Sequence, residues 1–72
     1  MLMYDKYTIT VKNQTAFLGY IKSVDFSKSS FELTKDAIDA KKYSNIATLN
    51  KEIEKISRFP ISVNNNYTFD YK

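Results

Sequence analysis

The chain has no cysteine, no histidine and no tryptophan, and only one glycine and one proline. Without cysteine no disulfide can form, and without Cys or His no zinc centre of the usual kind can be built. The lack of histidine removes the commonest general acid–base residue and every Ser-His or Cys-His nucleophile. A single glycine excludes a glycine-rich phosphate loop. One Gly and one Pro also leave no material for a long flexible linker. No apolar run approaches the roughly 20 residues of a membrane span. The start, Met1-Leu2-Met3-Tyr4-Asp5, lacks the basic-then-apolar pattern of a signal peptide. These absences predict a cytoplasmic protein with no membrane association, no metal and no cofactor. A cysteine-free chain suits that reducing compartment.

What is present is a globular composition: 43% apolar residues, with six Tyr and five Phe. The 72 residues allow one domain, spanning 1–72. A chain of this size buries only about 60% of its unfolded surface, so the aromatics must supply much of the core. The net charge of +3 permits an acidic partner or nucleic acid but compels neither.

Tyr7, Ile9 and Val11 alternate with Thr8, Thr10 and Lys12, the period of a half-buried strand. A turn at Asn13-Gln14-Thr15 leads into a second strand. Pairing Lys12 with Ala16 would place Val11 opposite Phe17 and Tyr7 opposite Ile21, with one apolar side. On that register Leu18 and Tyr20, with Tyr4, fall on the outer side of the hairpin. Gly19 lies within the second strand and marks a bulge or a close approach by another element. The inward face changes between Ile21 and Val24, which predicts a bulge near Lys22-Ser23. Pairing Phe26 with Phe31 gives a short third strand.

Thr34 is placed to cap a helical turn in "LTKDAIDAKKYSN", with Ala37, Ile38, Ala40 and Tyr43 inward. A longer helix is expected from Asn45 to Arg58, with Ile46, Leu49, Ile53 and Ile56 forming one stripe. Pro60 ends it. With Asn64-Asn65-Asn66 as a turn, "FPISV" and "YTFDY" form a C-terminal hairpin whose Tyr67, Phe69 and Tyr71 pack on the helix. The fold class is therefore α+β: a small antiparallel sheet, made of an N-terminal hairpin, a short third strand and a C-terminal hairpin, with one main amphipathic helix on one face.

Asp36 and Asp39 could share a helical face, but Lys35, Lys41 and Lys42 surround them, which favours a solvated ion-paired surface over a catalytic pair. Lys51, Lys55 and Arg58 align on the helix side opposite the apolar stripe and could contact phosphates. Glu54 stands four residues before Arg58 and can pair with it. The outer sheet face, with Leu18, Tyr20 and Tyr4, could instead hold a protein partner or a second copy. Scattered surface apolar residues are also normal.

The segments "YTITVKNQTAFLGYIKSVDFS", "LTKDAIDAKKYSN" and "IATLNKEIEKI" carry a shared plan: a hairpin, an "LT-x-D-x-x-x-A" stretch ending in an aromatic, then a helix. Across residues 4–58 this resembles small uncharacterised accessory proteins of phages and prophages of Gram-positive bacteria. The Lys-, Asn- and Tyr-rich usage is similar to that of low-GC genomes. The resemblance implies no activity and no site. It implies a non-enzymatic protein that binds, and inhibits, a host protein such as a defence enzyme. The alternative is a small basic nucleic-acid binder using Lys51, Lys55 and Arg58.

Overall fold

The computed structural model describes residues 7–72. Strands β1 (Ile9–Lys12), β2 (Phe17–Asp25) and β3 (Ser30–Thr34) come first, then a 3-10 turn at Ala37–Asp39. Helix α1 (Ile46–Ile56), helix α2 (Pro60–Asn64) and strand β4 (Thr68–Tyr71) follow. The four strands form one antiparallel sheet in the order β3-β2-β1-β4. The α+β class read from the chain is the observed one.

The first hairpin closes through Asn13. Its N–H donates to the Ala16 carbonyl at 3.0 Å, and its side-chain oxygen accepts from Thr15 and Ala16. The register differs from the expected one. Val11 stands opposite Gly19 and Lys12 opposite Phe17, so Leu18 is an extra residue in β2. The bulge sits beside Gly19, whose φ of +145° is open only to glycine in practice. A Cβ there would lie 2.7 Å from the Thr34 carbonyl oxygen on β3. Both expectations for Gly19, a bulge and a close approach, are met at one place.

A second irregularity separates Ile21 from Ser23, as the changed face of the strand required. Beyond it Val24 pairs with Phe31 and Asp25 with Ser30, not Phe26 with Phe31. Asp25 decides this. Its carboxylate accepts from the Ser27 and Lys28 N–H groups and from the Ser27 hydroxyl, which starts the turn before Phe26. Ser29 completes the turn with φ +52°.

The sheet curls over its own core. In a flat sheet β3 and β4 would stand three strand spacings, about 14 Å, apart. Yet the ring of Phe31 on β3 lies 5.9 Å from Phe69 on β4 and 6.2 Å from Tyr67, centroid to centroid. Phe31 also stacks on Phe59 at 6.5 Å. Beneath these rings Ile9, Val11, Ile21, Leu49 and Ile56 are fully buried. Helix α1 supplies Leu49 and Ile56, with Ile53 partly buried beside them, as the stripe predicted. Asn45 is its N-cap, accepting from the Ala47 and Thr48 N–H groups.

The C-terminal hairpin does not exist. Phe59 to Asn64 form no strand; Pro60 is the first residue of α2. Proline's fixed φ suits the first helical position, where an N–H has no partner anyway. Ser62 is buried and donates to the Ile56 carbonyl at 2.8 Å, while Val63 is 60% exposed. The three asparagines close this helix. Asn66 adopts φ +55°, its N–H donates to the Val63 carbonyl, and the Tyr67 N–H donates to Ser62. That pair of bonds is the Schellman helix ending, whose left-handed residue is glycine or asparagine. Strand β4 then pairs with β1, Phe69 opposite Val11 and Tyr71 opposite Ile9. Tyr67 and Phe69 pack on the core as expected, but Tyr71, expected with them, is 43% exposed at the sheet's edge, its ring 5.9 Å from that of Tyr7.

The 3-10 turn differs in detail. Asp36, not Thr34, caps it, accepting from the Ile38 N–H at 2.9 Å, while Thr34 accepts from the Asp36 N–H. Ala40 and Tyr43 are buried, but Ile38 is 83% exposed and Ala37 also faces solvent. A single turn has too little length to turn four residues inward. Lys42 closes it by donating to the Ala37, Ile38 and Ala40 carbonyls.

Two substitutions test this core. Gly19→Ala should lower stability by about 1–3 kcal/mol, because the backbone must leave a region closed to alanine; an unchanged urea midpoint would mean the strand has room there. Leu49→Ala should cost about 2–5 kcal/mol, and Ile53→Ala less. Equal losses from the two would show that α1 is rotated from the orientation described.

Candidate docking face

The outer side of the sheet is built from residues that alternate with the core. Thr34, Tyr20, Thr10 and Asp70 form one row across the four strands, each directly opposite the next. Phe17, Lys12 and Thr68 form a second row. Thr10 on β1, and Thr8 just before that strand, are themselves buried. A shallow cleft of ≈ 370 Å³ opens between Phe17 and Tyr20 on one side and Asp70 to Lys72 on the other.

The bulge sets which aromatic faces out. Leu18, expected on the outer face with Tyr20, is turned to the core, where it is partly buried against the apolar cluster. Phe17, expected in the core, stands outside at 41% exposure. One extra residue in a strand reverses the sides of everything beyond it, so a register without the bulge places both wrongly. The rings of Phe17 and Tyr20 meet edge to face, 5.3 Å apart at 75°. Lys35 donates to the Phe17 carbonyl at 3.4 Å, and its ammonium lies 5.8 Å from the Phe17 ring centroid. Tyr4 lies outside the described residues. No sequence signal named Phe17; only Gly19 hinted that alternation breaks nearby.

The basic row, Lys51 and Lys55 on α1 and Arg58 two residues past its end, is exposed as expected. Arg58 reaches Glu54 at 3.7 Å, the i,i+4 pair expected, and the Lys55 ammonium lies 5.7 Å from the ring of Phe26. One of its three cations is thus paired with a carboxylate. Among the described residues no three His, Cys, Asp or Glu side chains cluster as a metal site, and no helix is long and apolar enough to cross a membrane.

A polar cluster unforeseen in the sequence joins the segment before α1 to that helix. The Tyr43 hydroxyl donates to Glu52 at 2.5 Å, and Lys41 reaches the same carboxylate oxygen at 3.4 Å. The Lys41 ammonium lies 5.1 Å from the Tyr43 ring centroid. The backbone of Tyr43 pairs with Tyr7 in both directions. Burial, the hydrogen bond to Glu52 and the Glu52 charge all push the Tyr43 phenol well above its ordinary value of 10.0. The phenol thus serves as a hydrogen-bond donor that ties this segment to α1. Only the fold brings Glu52 back to Tyr43, nine residues away.

No protein-family model, curated protein or solved structure matches the chain.

The Tyr43 shift has a defined pH consequence. The unfolded phenol ionises near its ordinary value of 10.0, while the folded one keeps its proton, so its contribution is complete below that pH and is lost as pH rises further. The urea midpoint of the wild type should therefore fall more steeply above about pH 10 than that of Tyr43→Phe. Parallel curves would mean that Tyr43 is not held protonated by the fold.

Proposed function

We propose that the chain is a non-enzymatic binding protein that occupies the surface of a host protein through the outer face of its sheet. The observation that carries this is the pair of exposed Phe17 and half-buried Tyr20 on β2, outside a sheet whose opposite side bears the fully buried Ile9, Val11 and Ile21. Aromatic side chains on a rigid support bury much area at little entropic cost, which makes them interface anchors. The cleft beside them gives an incoming side chain somewhere to go. The likeness to phage and prophage accessory proteins supports the setting: a host cytoplasm, and inhibition of the bound protein, a defence enzyme being one such target. The α1 row supports nucleic-acid contact less well, since Glu52 and Glu54 interleave its cations and Arg58 is paired with Glu54.

The test is capture from nuclease-treated lysate of a Gram-positive bacterium, wild type against Phe17→Ser with Tyr20→Ser. We expect one host protein to be recovered by the wild type and lost from the double variant. Removing a true anchor costs about 2 kcal/mol or more of binding, whereas surface substitutions change folding by only about 0.5 kcal/mol. Undiminished recovery by a folded double variant would move the contact elsewhere. Recovery that nuclease abolishes would favour nucleic acid.

A further inference from the structure

We infer that the surface docked on this face is an acidic protein segment; the inference rests on the docking reading above and adds the partner's chemistry. Three lysines border the aromatic pair or its cleft. Lys12 stands directly opposite Phe17 on the outer face. Lys35 is held at Phe17 by its carbonyl and its ring. Lys72, bonded in both directions to Thr8, lines the far side of the cleft. The cleft holds one carboxylate, Asp70, whose side chain accepts from the Tyr71 N–H. A neutral partner would strip water from these cations and return nothing, which is costly for charged groups. A basic partner would be repelled. Carboxylates at the partner's rim would pair with the lysines while an apolar side chain meets Phe17 and Tyr20, the usual division between a polar rim and an apolar centre.

The same geometry argues against a nucleic-acid strand. Base stacking needs open ring faces. Here the rings meet at 75°, and the Phe17 ring already has an ammonium beside it.

The experiment is a nuclear magnetic resonance titration of the labelled full chain with three probes: the peptide Glu-Asp-Glu-Phe-Glu-Asp, decathymidylate, and the chain itself on dilution. The acidic peptide should shift the amides of Thr10, Lys12, Phe17, Tyr20 and Asp70. Lys12→Glu, Lys35→Glu and Lys72→Glu together should weaken that binding by about tenfold or more, with loss of its salt dependence. Should the triple reversal fail to fold, the Lys→Gln triple variant gives the same readings. The inference is overturned if the peptide shifts nothing there, if reversal leaves its affinity unchanged, or if decathymidylate binds the same residues more tightly. Shifts at these residues on dilution would name a second copy as the occupant and overturn it too. The docking reading is judged apart. If lysate capture needs Phe17 and Tyr20 but survives the charge reversal, only the acidic partner falls.

Discussion

The approach of Gly19 to the Thr34 carbonyl is the contact on which the rest of the arrangement depends. It lets β3 lie against β2 at a point where any side chain would collide with backbone. It also accommodates the bulge that leaves Leu18 unpaired. Two opposite outcomes follow within two residues. Leu18 joins the core, and Phe17 leaves it to meet Tyr20 outside. The candidate docking face is thus a by-product of the same local geometry that fixes the sheet.

The second constraint is size. A chain this short has few aliphatic side chains to bury, so the sheet wraps until its two edges share one aromatic cluster. Phe31 is the meeting point, in contact with Phe59, Tyr67 and Phe69. Edge-to-face and stacked rings each add about 0.5–1.5 kcal/mol beyond the area they bury. The helices close the open side. Helix α1 does so with Leu49 and Ile56, and α2 is tied back by the Ser62 hydroxyl on the Ile56 carbonyl. Among the described residues, every buried side-chain nitrogen or oxygen has a hydrogen-bond partner. The buried polar groups therefore carry no unmet desolvation cost.

Charge is distributed unevenly over the two exposed surfaces. Along α1 and just past its end, cations are interleaved with Glu52 and Glu54, and Arg58 is paired with Glu54. On the outer sheet face, lysines outnumber carboxylates around an aromatic pair. The first pattern is that of a solvated helix. The second combines a shape, an apolar centre and a sign of charge, the three features on which the proposed docking rests.

The sequence by itself determined the α+β class, the existence of the first hairpin though not its register, the α1 stripe and the β2 irregularity near Lys22, because each follows from short-range periodicity. It also determined that Tyr67 and Phe69 are core and that Glu54 pairs with Arg58. Only the tertiary structure decided the rest. Alternation in "FPISV" reads as a strand, but proline at a helix start and the Asn66 ending outweigh it, so Ile61 and Val63 face solvent. β4 pairs with β1 across most of the chain, which no local pattern can specify. The Tyr43–Glu52 bond likewise depends on where a helix lands. The exchange of Phe17 for Leu18 needed one fact that the sequence lacks: which side of Gly19 must make room for Thr34.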